Sequence, residues 1–166
     1  THCESSAASD VYKRQIMAYS HIAHDCKVGD NCIFSNNSTL AGHVTVGDYV
    51  TLAGMVAVHQ FCNIGRHAFI AGGSLVRKDI PPFVKAAREP LSYVGINSVG
   101  LRRRGFSSEK IREIQNIYRI LYQKKFNNTQ AINIIEAEVE ATSDRDEILV
   151  FIKDSQRGIM KGYIQN

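Results

Sequence analysis

The stretch HIAHDCKVGDNCIFSNNSTLAGHVTVGD, residues 21–48, carries a large apolar residue at every sixth position. The spacing continues in both directions through eleven residues: Ile16, Ile22, Val28, Phe34, Leu40, Val46, Leu52, Val58, Ile64, Ile70 and Val76. The residue after each of them is mostly small, and from Val28 onward the residue two positions before each is small or β-branched. A repeat of this period is the sequence signature of a parallel β-helix, in which each unit supplies one short strand and one tight turn.

Three such units would form one triangular coil of about eighteen residues, with the large apolar side chains filling its interior. Successive coils then stack at the strand spacing of about 4.8 Å and pair through their backbones. Residues 16–80 are therefore predicted to form a β-helix of about three and a half coils. The period alone does not fix the hand of the coil.

The segments on either side of the repeat differ from it. Residues 1–15 do not continue the period, and we predict a tail outside the fold, either a plain extension or an artefact of sequence assembly. All three prolines fall within residues 81–98, which are predicted to form an extended connection. Helical spacing of apolar residues then predicts a small α-helical C-terminal domain over residues 99–166, with Ser107 and Ser143 capping its first and last long helices.

The composition disfavours several classes of protein. A hydrophobic share of 44% with 22% charged residues is typical of a soluble globular protein, and no apolar run is long enough for stable membrane insertion. The net charge of +4 is small for a nucleic-acid-binding surface. Cys26, Cys32 and Cys62 share one inward position of the repeat and are expected to pack as small apolar residues, whereas Cys3 lies outside it.

Polar residues of the repeat are predicted to stack where the coils turn. With eighteen residues a coil, His24 should lie beneath Gly42, and Asp25 beneath His43. Coils that rise by about 4.8 Å bring the members of such a column within about 10 Å of one another. The residues predicted to meet at this edge are His21, His24, Asp25, Gly42, His43, His59 and Gln60.

Three interpretations of this edge are open on the residues alone. Its polar side chains could simply face water. Its imidazoles could hold zinc between subunits, as in trimeric β-helix hydratases of the gamma carbonic anhydrase type. A histidine beside a carboxylate, such as His24 beside Asp25, could also act as a general base, with the backbone N–H of Gly42 as an oxyanion donor.

Four motifs resemble, in order and spacing, the acyl-carrier-protein–UDP-N-acetylglucosamine O-acyltransferases of lipid A biosynthesis: HIAHDCKVGDNC, NNSTLAGHVTVGD, AVHQFCNIGRHAFI and GLRRRGF. The resemblance begins at Ile16 and covers only the later coils and the helical domain of that family, so an N-terminally truncated member is expected. It implies a left-handed β-helix and a cytoplasmic homotrimer from a Gram-negative-type bacterium. The implied reaction moves an (R)-3-hydroxyacyl group from acyl carrier protein to the 3-hydroxyl of UDP-N-acetylglucosamine, without cofactor or metal.

The resemblance also implies roles for individual residues. His24 matches the catalytic base, Asp25 the carboxylate that supports it, and the Gly42 amide the oxyanion donor. The matching substrate-binding positions are His21, His43, His59, Gln60, Gly72, Asn97, Arg103 and Arg104. Gly72 falls where the family gauges acyl length, and a glycine there implies a long acyl chain. Asn97, Arg103 and Arg104 fall where the family contacts the nucleotide or the carrier protein.

Departures from the family pattern leave alternatives. Val99 stands where an acidic nucleotide contact is expected, which weakens the implied recognition of uridine. The early coils also supply substrate contacts in the family, so the resemblance leaves the activity of this chain by itself open. A UDP-3-O-acylglucosamine N-acyltransferase shares the histidine chemistry but fits HQF and RRGF less well. A metal-dependent hydratase and a plain trimeric scaffold are the alternatives from other classes.

Overall fold

The computed structural model describes residues 13–123 and 126–162, and in them the repeat forms eleven two-residue strands. Each strand ends on one of the predicted apolar residues. The strands are β1 Gln15–Ile16, β2 His21–Ile22, β3 Lys27–Val28, β4 Ile33–Phe34, β5 Thr39–Leu40, β6 Thr45–Val46, β7 Thr51–Leu52, β8 Ala57–Val58, β9 Asn63–Ile64, β10 Phe69–Ile70 and β11 Leu75–Val76. Residues 1–12 of the predicted tail, including Cys3, lie outside the described residues, and Gln15 already belongs to the first strand.

Strands eighteen residues apart pair in parallel, as the period predicts. His21 pairs with Thr39, and Thr39 pairs with Ala57 on the next coil. The pairing builds three faces of a prism, made by β1-β4-β7-β10, by β2-β5-β8-β11 and by β3-β6-β9. The apolar strand residues point inward, so that Phe34, Leu40 and Leu52 are at most 1% exposed.

The first coil is less well covered than the later ones. Ile22 is 37% exposed, and Ile16 and Val28 are only partly buried, because no coil packs on their outer side within the described residues. Cys32 and Cys62 are buried as predicted, and burial raises the pKa of each thiol to about 11. These thiols therefore stay protonated and pack as apolar groups.

The turns between faces form three corners, which we name by the residues that they carry. The histidine corner comprises residues 23–26, 41–44 and 59–62; the arginine corner comprises residues 29–32, 47–50 and 65–68; the glycine corner comprises residues 17–20, 35–38, 53–56 and 71–74. Every turn holds one residue in the left-handed region, even where it is Asp25, His43 or Phe61. Backbone bonds between coils hold this conformation, since the His43 N–H donates to the His24 carbonyl at 3.1 Å.

The predicted extended connection is more ordered than expected. It contains two antiparallel strands, β12 Val84–Ala87 and β13 Ser92–Ile96. Strand β12 also pairs in parallel with β10, through Phe69 and Lys85, so the connection extends one face of the prism.

The C-terminal part is helical as predicted, with one added strand. Its elements are α1 Ser98–Arg103, α2 Ser108–Gln123, α3 Asn128–Glu138, α4 Ser143–Asp154 and β14 Lys161–Gly162, which pairs with β13. The Ser107 hydroxyl accepts a hydrogen bond from the Lys110 N–H and caps α2. The predicted cap of α4 is wrong by one residue, because the hydroxyl of Thr142, not that of Ser143, accepts from the Arg145 N–H.

Buried polar contacts fix the helical part to the β-helix. Asp144, at the start of α4, pairs with Arg66 at 2.8 Å and with Lys110 at 2.9 Å. The Tyr118 hydroxyl donates to the Pro82 carbonyl at 2.6 Å from the middle of α2. No helix in the described part of the chain is long and apolar enough to cross a membrane.

Candidate functional site

The histidine corner brings the predicted base and its carboxylate into contact. His24 Nδ1 lies 2.9 Å from Asp25 Oδ2, and His43 Nε2 lies 3.7 Å from the same oxygen. An ionised carboxylate only accepts hydrogen bonds, so the proton of a neutral His24 sits on Nδ1. This assignment leaves the lone pair on His24 Nε2, where it can take a proton from a bound hydroxyl.

The turn at this corner determines the position of the Asp25 carboxylate, and its neighbours keep that carboxylate ionised. Its left-handed backbone, with φ of 58°, turns its carboxylate back beside the preceding imidazole. The hydrogen bond from His24 lowers the pKa of Asp25 below its usual value, and the nearby His43 lowers it further. Asp25 is therefore an anion at neutral pH and stabilises the imidazolium that His24 becomes when it accepts a proton.

Gly42 lies directly against the imidazole of His24, as the eighteen-residue stacking predicts. A Cβ at this position would lie 2.8 Å from both Nε2 and Cε1 of His24, so only glycine fits without moving the ring. The Gly42 carbonyl accepts from the Phe61 N–H at 3.2 Å, but the Gly42 N–H has no partner within the described residues. The corner therefore offers a backbone donor beside the base.

The other predicted members of the corner are exposed. His59 and Gln60 lie at the top of the column, where His59 Nδ1 is 3.1 Å from the Gln60 carbonyl oxygen. His21 lies on β2, exposed and three residues before His24. Sequence reasoning gave no role to Phe61, which stacks on the His43 ring at 4.9 Å and is 51% exposed. Its position eighteen residues after His43 was the available signal.

The same corner contains a group that could hold a metal ion. Ligand atoms of His24, Asp25 and His43 lie within 4.8 Å of one another. This set has two imidazoles and one carboxylate, whereas the zinc alternative considered from the sequence used three imidazoles. Two imidazoles and a carboxylate are nevertheless a known ligand set for catalytic zinc.

Two of the three residues implied to contact the nucleotide or the carrier protein, Asn97 and Arg104, lie against His67 of the arginine corner. Asn97 caps α1, because its Oδ1 accepts from the Gly100 N–H at 3.3 Å and its Nδ2 donates to the His67 carbonyl at 3.0 Å. Arg103 is exposed, whereas Arg104 is half-buried with its guanidinium 5.3 Å from the centre of the Tyr49 ring. Asn97 is thus committed to structure within this chain, and its role towards substrate stays a prediction.

A single chain does not gather all of the predicted site residues. Asn97 and Arg104 lie at the arginine corner, and Gly72 lies at the glycine corner, where a Cβ would approach the Gly54 carbonyl to 3.1 Å. The group at the histidine corner comprises His24, Asp25, Gly42, His43, His59 and Gln60. The predicted base and Arg104 therefore occupy different edges of the same prism.

A separate cleft of about 960 Å³ lies between α4 and the outer face of β3-β6-β9. Its charged lining includes Lys27, Asp48, Arg66, Asp146 and Glu147. None of the predicted catalytic or substrate-binding residues lines this cleft.

Two family models match different parts of the chain. Residues 79–160 match the family described as UDP N-acetylglucosamine O-acyltransferase, domain 2, and residues 15–42 match the bacterial transferase hexapeptide repeat. An acyl-[acyl-carrier-protein]–UDP-N-acetylglucosamine O-acyltransferase from Herminiimonas arsenicoxydans is 50% identical over 150 residues, which cover 88% of this chain and 57% of the relative. One from Stenotrophomonas maltophilia is 45% identical over 147 residues, and the match covers 88% of this chain and 56% of that relative.

Solved structures agree with the sequence relatives. A UDP-N-acetylglucosamine acyltransferase from Bacteroides fragilis superposes with a TM-score of 0.88 at 44% identity, over 89% of this chain and 58% of that chain. One from Francisella novicida superposes with a TM-score of 0.85 at 40% identity, over 89% of this chain and 54% of that chain. The prediction of a left-handed parallel β-helix followed by helices is confirmed. The chain spans a little over half the length of the relatives it matches.

Proposed function

Because the chain belongs to the UDP-N-acetylglucosamine O-acyltransferase family, we propose that it carries the catalytic part of an enzyme that acylates UDP-N-acetylglucosamine. The acyl donor is an (R)-3-hydroxyacyl thioester of acyl carrier protein, and the acceptor is the glucosamine 3-hydroxyl. The reaction is the first step of lipid A biosynthesis. It takes place in the cytoplasm of a Gram-negative-type bacterium and requires no cofactor.

The observation that carries this proposal is the contact of His24 with both Asp25 and Gly42. Nε2 of His24 accepts the proton of the sugar 3-hydroxyl while that oxygen attacks the thioester carbonyl. The Gly42 N–H donates to the oxyanion of the tetrahedral intermediate. Collapse of the intermediate breaks the carbon–sulfur bond, and the departing thiolate takes the proton back from His24. Neither a metal nor a covalent enzyme intermediate is needed.

The exposed residues around His24 are proposed to bind the substrates. His21, His43, His59 and Gln60 present donors and acceptors suited to a sugar ring and to the polar groups of a hydroxyacyl chain. Gly72 has no side chain that could shorten an acyl groove at the glycine corner, which suits a long acyl group. A series of donors of increasing length is expected to react best at the long end, and a preference for short donors would contradict this role.

The proposed assembly is a homotrimer with each site between two subunits. Its support is the separation of the proposed base from Arg104 on different corners of one prism, since a neighbouring subunit can bring a second corner to the first. In this arrangement Asn97, Arg103 and Arg104 of one subunit serve the histidine corner of the next. Arginine suits the diphosphate of the nucleotide because its planar donors match phosphate oxygens.

The direct test combines the purified chain with UDP-N-acetylglucosamine and 3-hydroxyacyl carrier protein. We expect an ester at the sugar 3-hydroxyl and release of the carrier thiol. The N-acyltransferase alternative would instead require a 2-amino acceptor and would give an amide. Failure to acylate either acceptor would contradict the proposed function.

The metal-dependent hydratase is a second candidate because His24, Asp25 and His43 could act as metal ligands. Metal analysis of the purified protein separates the two functions. We expect transfer activity that survives chelation, whereas stoichiometric zinc together with carbon dioxide hydration would favour the hydratase.

A further inference from the structure

His67 is the one histidine among the described residues that is buried, and the chemistry above does not use it. It occupies the left-handed turn position of the arginine corner and is 3% exposed. Its ring stacks on Tyr49, one coil below, with centroids 4.8 Å apart and planes 1° apart. Phe83 covers its other face at 5.7 Å, and Phe106 meets it edge-on at 5.2 Å.

Within the described residues, the side chain that forms a hydrogen bond with the His67 ring is Arg104. Arg104 Nη1 lies 3.5 Å from His67 Nδ1. A guanidinium only donates hydrogen bonds, so this contact requires a lone pair on Nδ1 and places the His67 proton on Nε2.

The surroundings of His67 keep it in this neutral form. Burial lowers its pKa to about 4, and the cations Arg104 and Arg66 add to the effect, while Asp144 and Asp48 oppose it. His67 is therefore an acceptor for Arg104 throughout the neutral range of pH.

Arg104 is held on its remaining sides as well. Its guanidinium lies over the Tyr49 ring, with 5.3 Å from Cζ to the ring centre. A Cβ at Gly100 would lie 2.9 Å from Arg104 Nη1, so the absence of a side chain there leaves room for the guanidinium. Neighbouring Arg102 and Arg103 are exposed and have no such enclosure. The fold thus selects one arginine of the three and fixes its plane.

We propose that His67 is a positioning residue, whose neutral Nδ1 accepts a hydrogen bond from Arg104 and turns the remaining donors of that arginine towards the diphosphate of the nucleotide sugar. The inference rests on the proposed function, which supplies the nucleotide. An arginine binds a phosphate in a bidentate manner only when its plane is correctly oriented. One acceptor behind the guanidinium, together with the Tyr49 ring beneath it, sets this orientation before the substrate arrives.

The test compares two replacements of His67. His67→Phe preserves the ring stack and removes the acceptor, and we expect it to raise KM for UDP-N-acetylglucosamine about tenfold, with kcat and KM for the acyl carrier protein within twofold. His67→Asn offers an amide oxygen near the position of Nδ1 and should restore KM to within about threefold of the wild type. Arg102→Gln removes a positive charge from α1, two residues before Arg104, and should leave KM for UDP-N-acetylglucosamine unchanged.

A second measurement does not depend on turnover. Long-range ¹H–¹⁵N NMR of the wild-type chain should show the neutral Nε2–H tautomer of His67 from pH 7 down to pH 5. An imidazolium or the Nδ1–H tautomer would overturn the proposed contact, even if His67→Phe fails to fold.

The outcomes separate the two proposals. A wild-type chain that neither binds UDP-N-acetylglucosamine in calorimetry nor transfers an acyl group contradicts the proposed function, and with it the diphosphate role of Arg104. If the wild-type chain transfers normally and the His67→Phe variant has the same KM for UDP-N-acetylglucosamine, only the positioning role is contradicted. Equal increases in KM for the Phe and Asn variants would likewise count against an acceptor at this position.

Discussion

At the scale of single residues, the histidine corner derives its chemistry from a tight turn. His24 and Asp25 are adjacent in sequence, and the left-handed backbone of Asp25 folds its carboxylate back onto the imidazole. The next coil then places Gly42 against the other side of the ring. The proposed base, its supporting anion and a backbone donor thus arise from two turns, without a contribution from a distant element.

Replacing Gly42 with alanine should displace the base. The added Cβ would lie 2.8 Å from the His24 ring, so the imidazole must turn away from the position that it shares with the backbone donor. We expect kcat to fall about a hundredfold, in the range for removing a positioned general base or oxyanion donor. Kinetics of the purified variant measure the effect.

Gly54 provides a matched control for folding. It occupies the same turn position, but its Cβ would meet its nearest neighbour at an ordinary 3.5 Å. Because the exposed His24 ring can move aside without disturbing the core, thermal unfolding of Gly42→Ala and Gly54→Ala should be similar. Wild-type kcat in the Gly42 variant would contradict the proposed arrangement.

His67 should make the stability of the protein depend on pH. Its pKa is lowered from 6.5 to about 4 in the folded state, so the unfolded chain binds the proton first as pH falls. The contribution is fully present above pH 6.5 and is lost as pH falls towards 4, by about 2 kcal/mol between pH 7 and pH 5. Urea unfolding of the wild type and of His67→Phe at both pH values measures this contribution, because the other titrating groups contribute equally to the two proteins and drop out of the difference. Identical pH dependence in the two proteins would contradict the assignment.

At the scale of elements, the helical part is attached to the prism through buried charge. Asp144 is 1% exposed and lies between Arg66 of the β-helix and Lys110 of α2. The two cations are partly exposed, so the buried charge of this cluster is the Asp144 carboxylate, which depends on both of them for compensation.

Replacing Asp144 with asparagine should lower the free energy of unfolding by about 2 kcal/mol, because the charge-assisted hydrogen bonds to its carboxylate are lost. The change keeps the size of the side chain and removes the anion that pairs with both cations. Glu136→Gln is the control, because the pair of Glu136 with Lys153 is exposed and should contribute no more than about 0.5 kcal/mol. Urea unfolding at pH 7 compares them, and equal losses for the two variants would refute the structural role of Asp144.

The elements also show how far the sequence could predict the fold. The period predicted every strand from β1 to β11 and the pairing register, because a coil buries its apolar residues at only one spacing. It could not predict the hairpin of β12 and β13, since that pairing depends on β10 rather than on a local repeat. It also misplaced the cap of α4, where two hydroxyl residues are adjacent and the extended backbone of Thr142 decides between them.

Prediction of the site was limited by what stacking can reveal. The eighteen-residue spacing predicted the contact of His24 with Gly42, because both positions belong to the same column. It gave no information on Asn97, whose amide caps a helix, or on the enclosure of Arg104 by Tyr49 and His67. Those contacts join the helical part to the prism and follow no repeat.

At the scale of the whole molecule, the separation of the corners is the main consequence of the prism. The base lies on one corner, the half-buried Arg104 on a second and Gly72 on a third. A rigid β-helix cannot bend to join its own corners, because each coil is bonded to its neighbours along all three faces. A shared site between subunits of the proposed trimer resolves this separation.

Mixing of two inactive proteins tests the shared site. His24→Ala and Arg104→Ala variants, unfolded and refolded together, should recover about one quarter of the wild-type activity, because one interface in four would combine an intact base with an intact arginine. Each variant refolded alone is the control and should stay inactive. Absence of recovery in mixed trimers would place both residues in a site within one subunit.

His24 is the proposed general base for acyl transfer to the 3-hydroxyl of UDP-N-acetylglucosamine. Single-turnover transfer from 3-hydroxyacyl carrier protein should be about 10² to 10⁴ times slower in His24→Ala than in the wild type. The thermal midpoint should be unchanged, because the His24 side chain is 73% exposed. Asp30→Ala alters the same turn position on another corner and should transfer at the wild-type rate. A His24→Ala protein that transfers the acyl group as fast as the wild type would contradict the general-base role of His24.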